Sequence, residues 1–187
     1  MNVVVDETLL VARPIDGGFT WTLASRLGDF LAQAERQLGP RNRTFTILGV
    51  EFREGVPKVW FPGNCGHVIV QLGVSAMQDS NRALFQLAHE CVHLLDPSPG
   101  GTNKLEEGLA THFALEVMQS LGVNYSTGDP KYDAACALVG EMLTGLPDAG
   151  RELRARYGPW KFITAQQIGE ECSRILPELA QDLASAF

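Results

Sequence analysis

The string His89-Glu90-Cys91-Val92-His93 lies in an apolar run, and Glu107 opens a second such run beyond a break rich in proline and glycine. Both runs have helical periodicity. Leu84, Leu87, Ala88, Cys91, Val92 and Leu95 recur at three- and four-residue steps over 80–95, and Ala110, Phe113, Ala114, Val117 and Leu121 do so after Glu107. On a helix, residues four apart differ by about 40° of rotation and one turn of rise, so His89 and His93 project side by side toward one point. Glu90 stands on a neighbouring flank between them. Asp96-Pro97-Ser98-Pro99-Gly100-Gly101 cannot continue the first helix, because its prolines and glycines break the hydrogen-bond ladder and let the chain reverse. A chain that honours both runs must lay two helices against each other, the head of the second near the tail of the first.

Around this pair the reading is α+β. Residues 3–11 are β-branched and apolar enough for a first strand, followed by a turn at Pro14-Ile15-Asp16-Gly17-Gly18. Leu23, Leu27, Phe30, Leu31, Ala34 and Leu38 mark a helix that Gly39-Pro40 ends. Residues 44–52, 58–61 and 67–72 are strand-like, and a small mixed or antiparallel sheet packed on helices follows from them. Asp79 or Ser80 is placed to cap the histidine helix, and Asn103 with Glu106 has the spacing of a capping box for the next. The remainder reads as helix over 133–143, 151–157, 165–176 and from Pro177 to Phe187, with Ile168, Cys172, Ile175, Leu176, Leu179 and Leu183 as a core stripe.

At 187 residues and 45% hydrophobic, the chain has the size of one domain, 1–187, with a core large enough to need no covalent staples. A formal charge of -7, with scattered lysines and arginines, argues against nucleic acid as a partner. Cys65, Cys91, Cys136 and Cys172 form no C-x-x-C pair, and disulfides are not expected. No run reaches the length of a membrane span, and the acidic start with Asp6 and Glu7 is unlike a secretory leader. The expected setting is soluble, reducing and cytoplasmic. Oligomeric state is not readable, and neither a nucleophile elbow, a Walker loop nor a dinucleotide fingerprint is present.

Two helical histidines can simply satisfy backbone carbonyls, and a glutamate between them can be a solvated surface residue. The second motif shifts that balance toward a metal site, because the tight return can bring a carboxylate against His89 and His93. Glu107 is the better third ligand, since Glu106 has a local role as the capping partner of Asn103. Ala110 and Gly108 keep bulk low beside it. As a first-turn acid Glu107 can also be solvated and favoured by the helix dipole alone. His112 is the other conceivable ligand, though it lies well round the helix.

The strings His89-Glu90-x-x-His93 and Glu107-Gly108-x-Ala110 resemble the gluzincin metallopeptidases, the thermolysin-like and aminopeptidase-like group, over roughly the two helices from Ser80 to Leu121. The run Glu107-x-x-Ala110-x-x-Phe113-Ala114 is also similar to the glutamate helix of small bacterial peptidases that cleave repressors. The resemblance implies a zincin-like fold, Zn2+ held by His89, His93 and Glu107, and Glu90 as general base. Three departures stand beside it. The link from His93 to Glu107 is short, and Thr111 stands where relatives place a carboxylate that orients a histidine. The exopeptidase signature is also absent, which favours an endopeptidase.

The expected function is therefore zinc-dependent hydrolysis of peptide or other amide bonds, with water activated by zinc and Glu90 and a peptide or protein as substrate. Tyr125, Tyr132, Tyr157 and His112 are candidate oxyanion donors, Thr111 a candidate outer partner of a ligand. Residues 67–72 read equally well as a substrate-pairing edge strand or as a buried core strand. The alternatives are a catalytically silent binding or regulatory module on a metallopeptidase scaffold, and a metal-free helical domain with coincidental motifs.

Overall fold

The computed structural model describes residues 6–63 and 66–187. Its N-terminal portion departs from the expected strand over 3–11. Residues 3–5 lie outside the described part, and the rest forms a 3-10 turn at Glu7–Leu9. The cause is local. The Asp6 carboxylate accepts from both the backbone N–H and the hydroxyl of Thr8, which favours a turn, and only Leu9 finds the core. A two-residue loop at Asp16-Gly17, with Gly17 at φ +80°, then joins β1 (Pro14–Ile15) to β2 (Gly18–Phe19) as an antiparallel hairpin.

Helix α1 (Leu23–Leu38) starts at a capping box of Thr22 and Ser25 and buries Leu23, Leu27, Phe30 and Ala34. The main sheet has three strands, β3 (Thr46–Arg53), β4 (Lys58–Trp60) and β5 (His67–Gly73), in the order β3-β5-β4. β3 is parallel to β5 and β4 antiparallel to it, so the sheet is mixed. Of the two readings of 67–72, the core strand is the one found, for β5 is central and β3 and β4 hold the edges. Val68, Val70 and Leu72 are buried, with α1 and α2 (Ser80–His93) packing against the strands. Gln71, also on β5, donates to Glu51 and accepts from Arg53.

Asp79 caps α2 by accepting from Arg82 N–H. α2 is wedged between α1, β5 and α3 (Lys104–Ser120), and His89 to Val92 are all buried. α4 (Pro130–Gly145) packs on the other side of α3. Gly108 makes that approach possible, because a Cβ there would lie 2.4 Å from the Ala135 carbonyl oxygen and 2.6 Å from Val139 Cγ2. α5 (Ala149–Tyr157), α6 (Ala165–Glu171) and α7 (Pro177–Ala184) complete the helical third. α6 stops short of the expected 176 because Cys172 already leaves the helical region at φ -105°, ψ 57°, and Leu176, restricted by the proline after it, is extended at φ -69°, ψ 144° and largely exposed. α7 likewise stops at Ala184, for residues 185–187 turn back along the start of α3: Lys104 N–H donates to Ser185 and Phe187 N–H to Thr102.

The buried apolar residues form one cluster running from Leu9 to Leu183. Cys91, Cys136 and Cys172 are free thiols, and Cys65 lies outside the described residues. Among the described residues no helix is long and apolar enough to cross a membrane.

Candidate metal centre

The i, i+4 spacing on α2 sets the His89 and His93 rings side by side, their Nε2 atoms 3.2 Å apart. The short return over 94–103 brings the first turn of α3 against them. Asn103 begins that helix by accepting from Glu106 N–H at 2.9 Å, while its own amide donates to the Trp160 carbonyl, which fixes where α3 starts. From there Glu107 reaches both rings: Oε2 lies 3.1 Å from His89 Nε2 and Oε1 3.6 Å from His93 Nε2. The Thr102 hydroxyl donates to Glu107 Oε1 at 2.8 Å and holds the carboxylate in place. One donor atom from each of His89, His93 and Glu107 falls within 4.8 Å of the others, and this group can hold a metal ion.

The charges around it are unusual for a protein interior. Glu90 is 3% exposed, and its Oε2 has no hydrogen-bond partner. Burial pushes its carboxyl above the usual range, against the pull of the two imidazoles. For Glu107 burial acts in the same upward sense but is overcome by the His89 contact, the His93 charge and the Thr102 bond, leaving it at about 2. Burial lowers His93 less than its Glu106 bond and the Glu107 and Glu90 carboxylates raise it, and it stands at about 10. Burial, with Glu107 and Glu90 nearby, pushes the Tyr132 phenol up to about 12, so it is a neutral donor.

Of the residues expected at the site, His89, Glu90, His93, Glu107 and Tyr132 come together; the Tyr132 ring meets His89 edge-on with centroids 5.5 Å apart. His112 does not join them. It sits across α3 beside Glu116, 3.8 Å away, in a separate cleft near α5. Thr111 is fully buried, but its hydroxyl has no partner and orients no histidine. Tyr125 stacks on Phe85 and stands further out, and Tyr157 bonds Glu170. Glu106 also departs from expectation: its carboxylate leaves the Asn103 cap and meets His93 Nδ1 at 2.8 Å. Thr102 was not singled out by the sequence at all, because nothing in a loop threonine signals a contact that depends on how two helices cross.

Two clefts meet at the group. One, of about 490 Å³, runs along α2 toward the loop before α4 and is walled by the Phe85–Tyr125 stack, Arg82 and Tyr132. The other, of about 250 Å³, lies between β4 and the 96–102 loop, with Val59, Ser98 and Phe187 on its walls. His89, Glu90 and Tyr132 border both. The chain matches no protein-family model, no curated protein and no solved structure.

Proposed function

We propose that the chain is a zinc-dependent hydrolase of peptide or related amide bonds, acting as an endopeptidase. The observation that carries this reading is the buried, unpartnered Glu90 carboxylate beside the His89, His93 and Glu107 group. A tetrahedral zinc with ligands at about 2.0–2.1 Å has donor-to-donor edges of about 3.3–3.4 Å. The contacts within the group, 3.2 Å between the imidazoles and 3.1 and 3.6 Å to the carboxylate, fit that size. Charge points the same way. Glu90, Glu106 and Glu107 are all buried around two imidazoles, and a divalent cation offsets an excess of negative charge that burial alone makes costly. Two nitrogens and one carboxylate oxygen form a donor set suited to zinc and leave a fourth position open.

When bound, zinc supplies Lewis acidity, drawing the pKa of a coordinated water toward about 7 and polarising a carbonyl. The protein's own residues do the rest. Glu90, made more basic than a surface glutamate by its burial, takes a proton from the attacking water and delivers it to the leaving nitrogen. Tyr132, a neutral phenol whose ring meets His89, would supply the donor to the oxygen that becomes negative. β4, the sheet edge beside the group, offers backbone groups to an extended chain, and the two clefts take substrate on either side of the scissile bond. Openness in both directions is what an endopeptidase needs.

Glu90→Gln tests this. Turnover of a quenched fluorescent peptide mixture should fall by about 10²- to 10⁴-fold while zinc, read by elemental analysis, stays bound. Unchanged turnover would overturn the role of Glu90. Zinc bound by a wild-type chain that cleaves nothing would favour a binding or regulatory module instead.

A further inference from the structure

We infer that Glu106, the neighbour of the carboxylate ligand, is a positioning residue for the metal centre that fixes the tautomer and ring orientation of His93. The inference rests on the metal-centre reading and adds a residue to it. Glu106 occupies the third position of α3, where a capping box would turn its side chain back to the cap's backbone N–H. Among the described residues that arrangement occurs twice. Ser25 accepts from Thr22 N–H at 2.8 Å at the start of α1, and Gln167 accepts from Thr164 N–H at 2.9 Å at the start of α6. At α3 the first half of the box is made, Asn103 accepting from Glu106 N–H, but the Glu106 side chain swings to His93 Nδ1 at 2.8 Å. A buried carboxylate has been diverted from an available local role.

The diversion is costly in isolation, since Glu106 is only 7% exposed and its second oxygen, Oε2, is buried without a partner. The geometry accounts for its retention. A carboxylate can only accept, so the Nδ1 facing Glu106 carries the proton, and Nε2 of a neutral His93 presents its lone pair to the point shared with His89 and Glu107. Ring orientation is fixed by the same bond. His89 makes its polar contacts through Nε2, so this anchor belongs to His93 alone. Successive glutamates on α3 thus divide the work: Glu107 faces the shared point, and Glu106, one position back on the helix, reaches the rear of one of its ligands. An outer partner of this kind also makes the imidazole a stronger donor and brings the charge of a divalent site closer to neutral.

The test is zinc affinity by chelator competition in the whole chain, for wild type, Glu106→Gln and Glu106→Leu. Glu116→Gln, altered beside His112 and away from the group, serves as control. Ring ¹H–¹⁵N spectra of the zinc-loaded proteins are recorded alongside. Glu106→Leu should bind zinc about 10- to 100-fold more weakly and lose the protected His93 Nδ1–H signal. Glu106→Gln, which keeps the shape and an accepting oxygen, should keep that signal with intermediate affinity, whether or not the leucine variant folds. Zinc affinity of Glu106→Gln and of any folded Glu106→Leu within about twofold of wild type, well short of an outer partner's usual effect, overturns the inference while leaving the metal centre standing. So does a His93 Nδ1–H signal indifferent to Glu106. A wild-type chain that takes up no zinc overturns both.

Discussion

Glu107 and His93 lie in one cluster, and their ionisations are displaced in opposite directions: against burial, the His89 bond and the His93 charge lower Glu107, and the Glu106 bond and the Glu107 charge raise His93. Glu107 is lowered from 4.5 to about 2, so it stabilises the metal-free fold above about pH 4.5, and that contribution is lost as pH falls through about 2. His93 is raised from 6.5 to about 10, so its contribution is complete below about pH 6.5 and lost as pH rises through about 10. At pH 8 the metal-free His93 therefore carries a proton that a zinc ion, on the proposed reading, would have to displace. Calorimetric titration in buffers of differing ionisation enthalpy should show about one proton released per zinc bound. Glu107→Gln should weaken zinc by more than the roughly 100-fold upper range of an outer partner, and should flatten the acid limb of metal-free melting temperature against pH. That His89 and His93 share one flank was legible because i, i+4 spacing alone sets two rings side by side, and the proline- and glycine-rich return marked Glu107 as the carboxylate that can reach them. Glu106 was not, because its local sequence fits a capping box, and only the rotation of α3 relative to α2 decides which way the side chain turns.

Helices α2 and α3 were legible to within a few residues because apolar period and caps agree, Asp79 and Asn103 both capping as expected. The N-terminal strand failed for the opposite reason. Residues 3–11 are rich in β-branched side chains but show no alternation that buries one face, and Leu10 and Val11 end up half exposed. Sheet order was not legible either, since strand content says nothing of which strand is central. Gly108, whose lack of bulk beside Glu107 is plain in the sequence, faces α4, not α2. Gly108→Ala should therefore destabilise the fold by about 1–3 kcal/mol through overpacking, despite a gain of up to about 1 kcal/mol in helix propensity. Urea denaturation measures the balance. Because α4 carries Tyr132, the same variant should also shift the Tyr132 ring against His89, visible as changed ring shifts in NMR.

Across the molecule, the tail of α2 is held by a residue that periodicity could not mark. Arg154 of α5 donates to the Asp96 carboxylate and to the carbonyls of Leu38, Pro40 and Leu95, tying together the ends of α1 and α2. Arg154→Leu would strand the Asp96 carboxylate and the Leu38 carbonyl, while Leu95 keeps its bond from Asn42 N–H, and should cost about 3 kcal/mol in equilibrium unfolding. Its partners lie far apart in sequence, so only folding reveals the role. A similar long reach closes the site from the other side, where residues 185 and 187 bond the backbone of Lys104 and Thr102. On the ribosome, His89, His93 and Glu107 can meet as soon as α3 has emerged, but the strand-like partner of Thr102 is still unsynthesised. A nascent chain would thus hold a loosely tethered Glu107 carboxylate from the emergence of α3 until residues 185–187 can fold back onto Lys104 and Thr102.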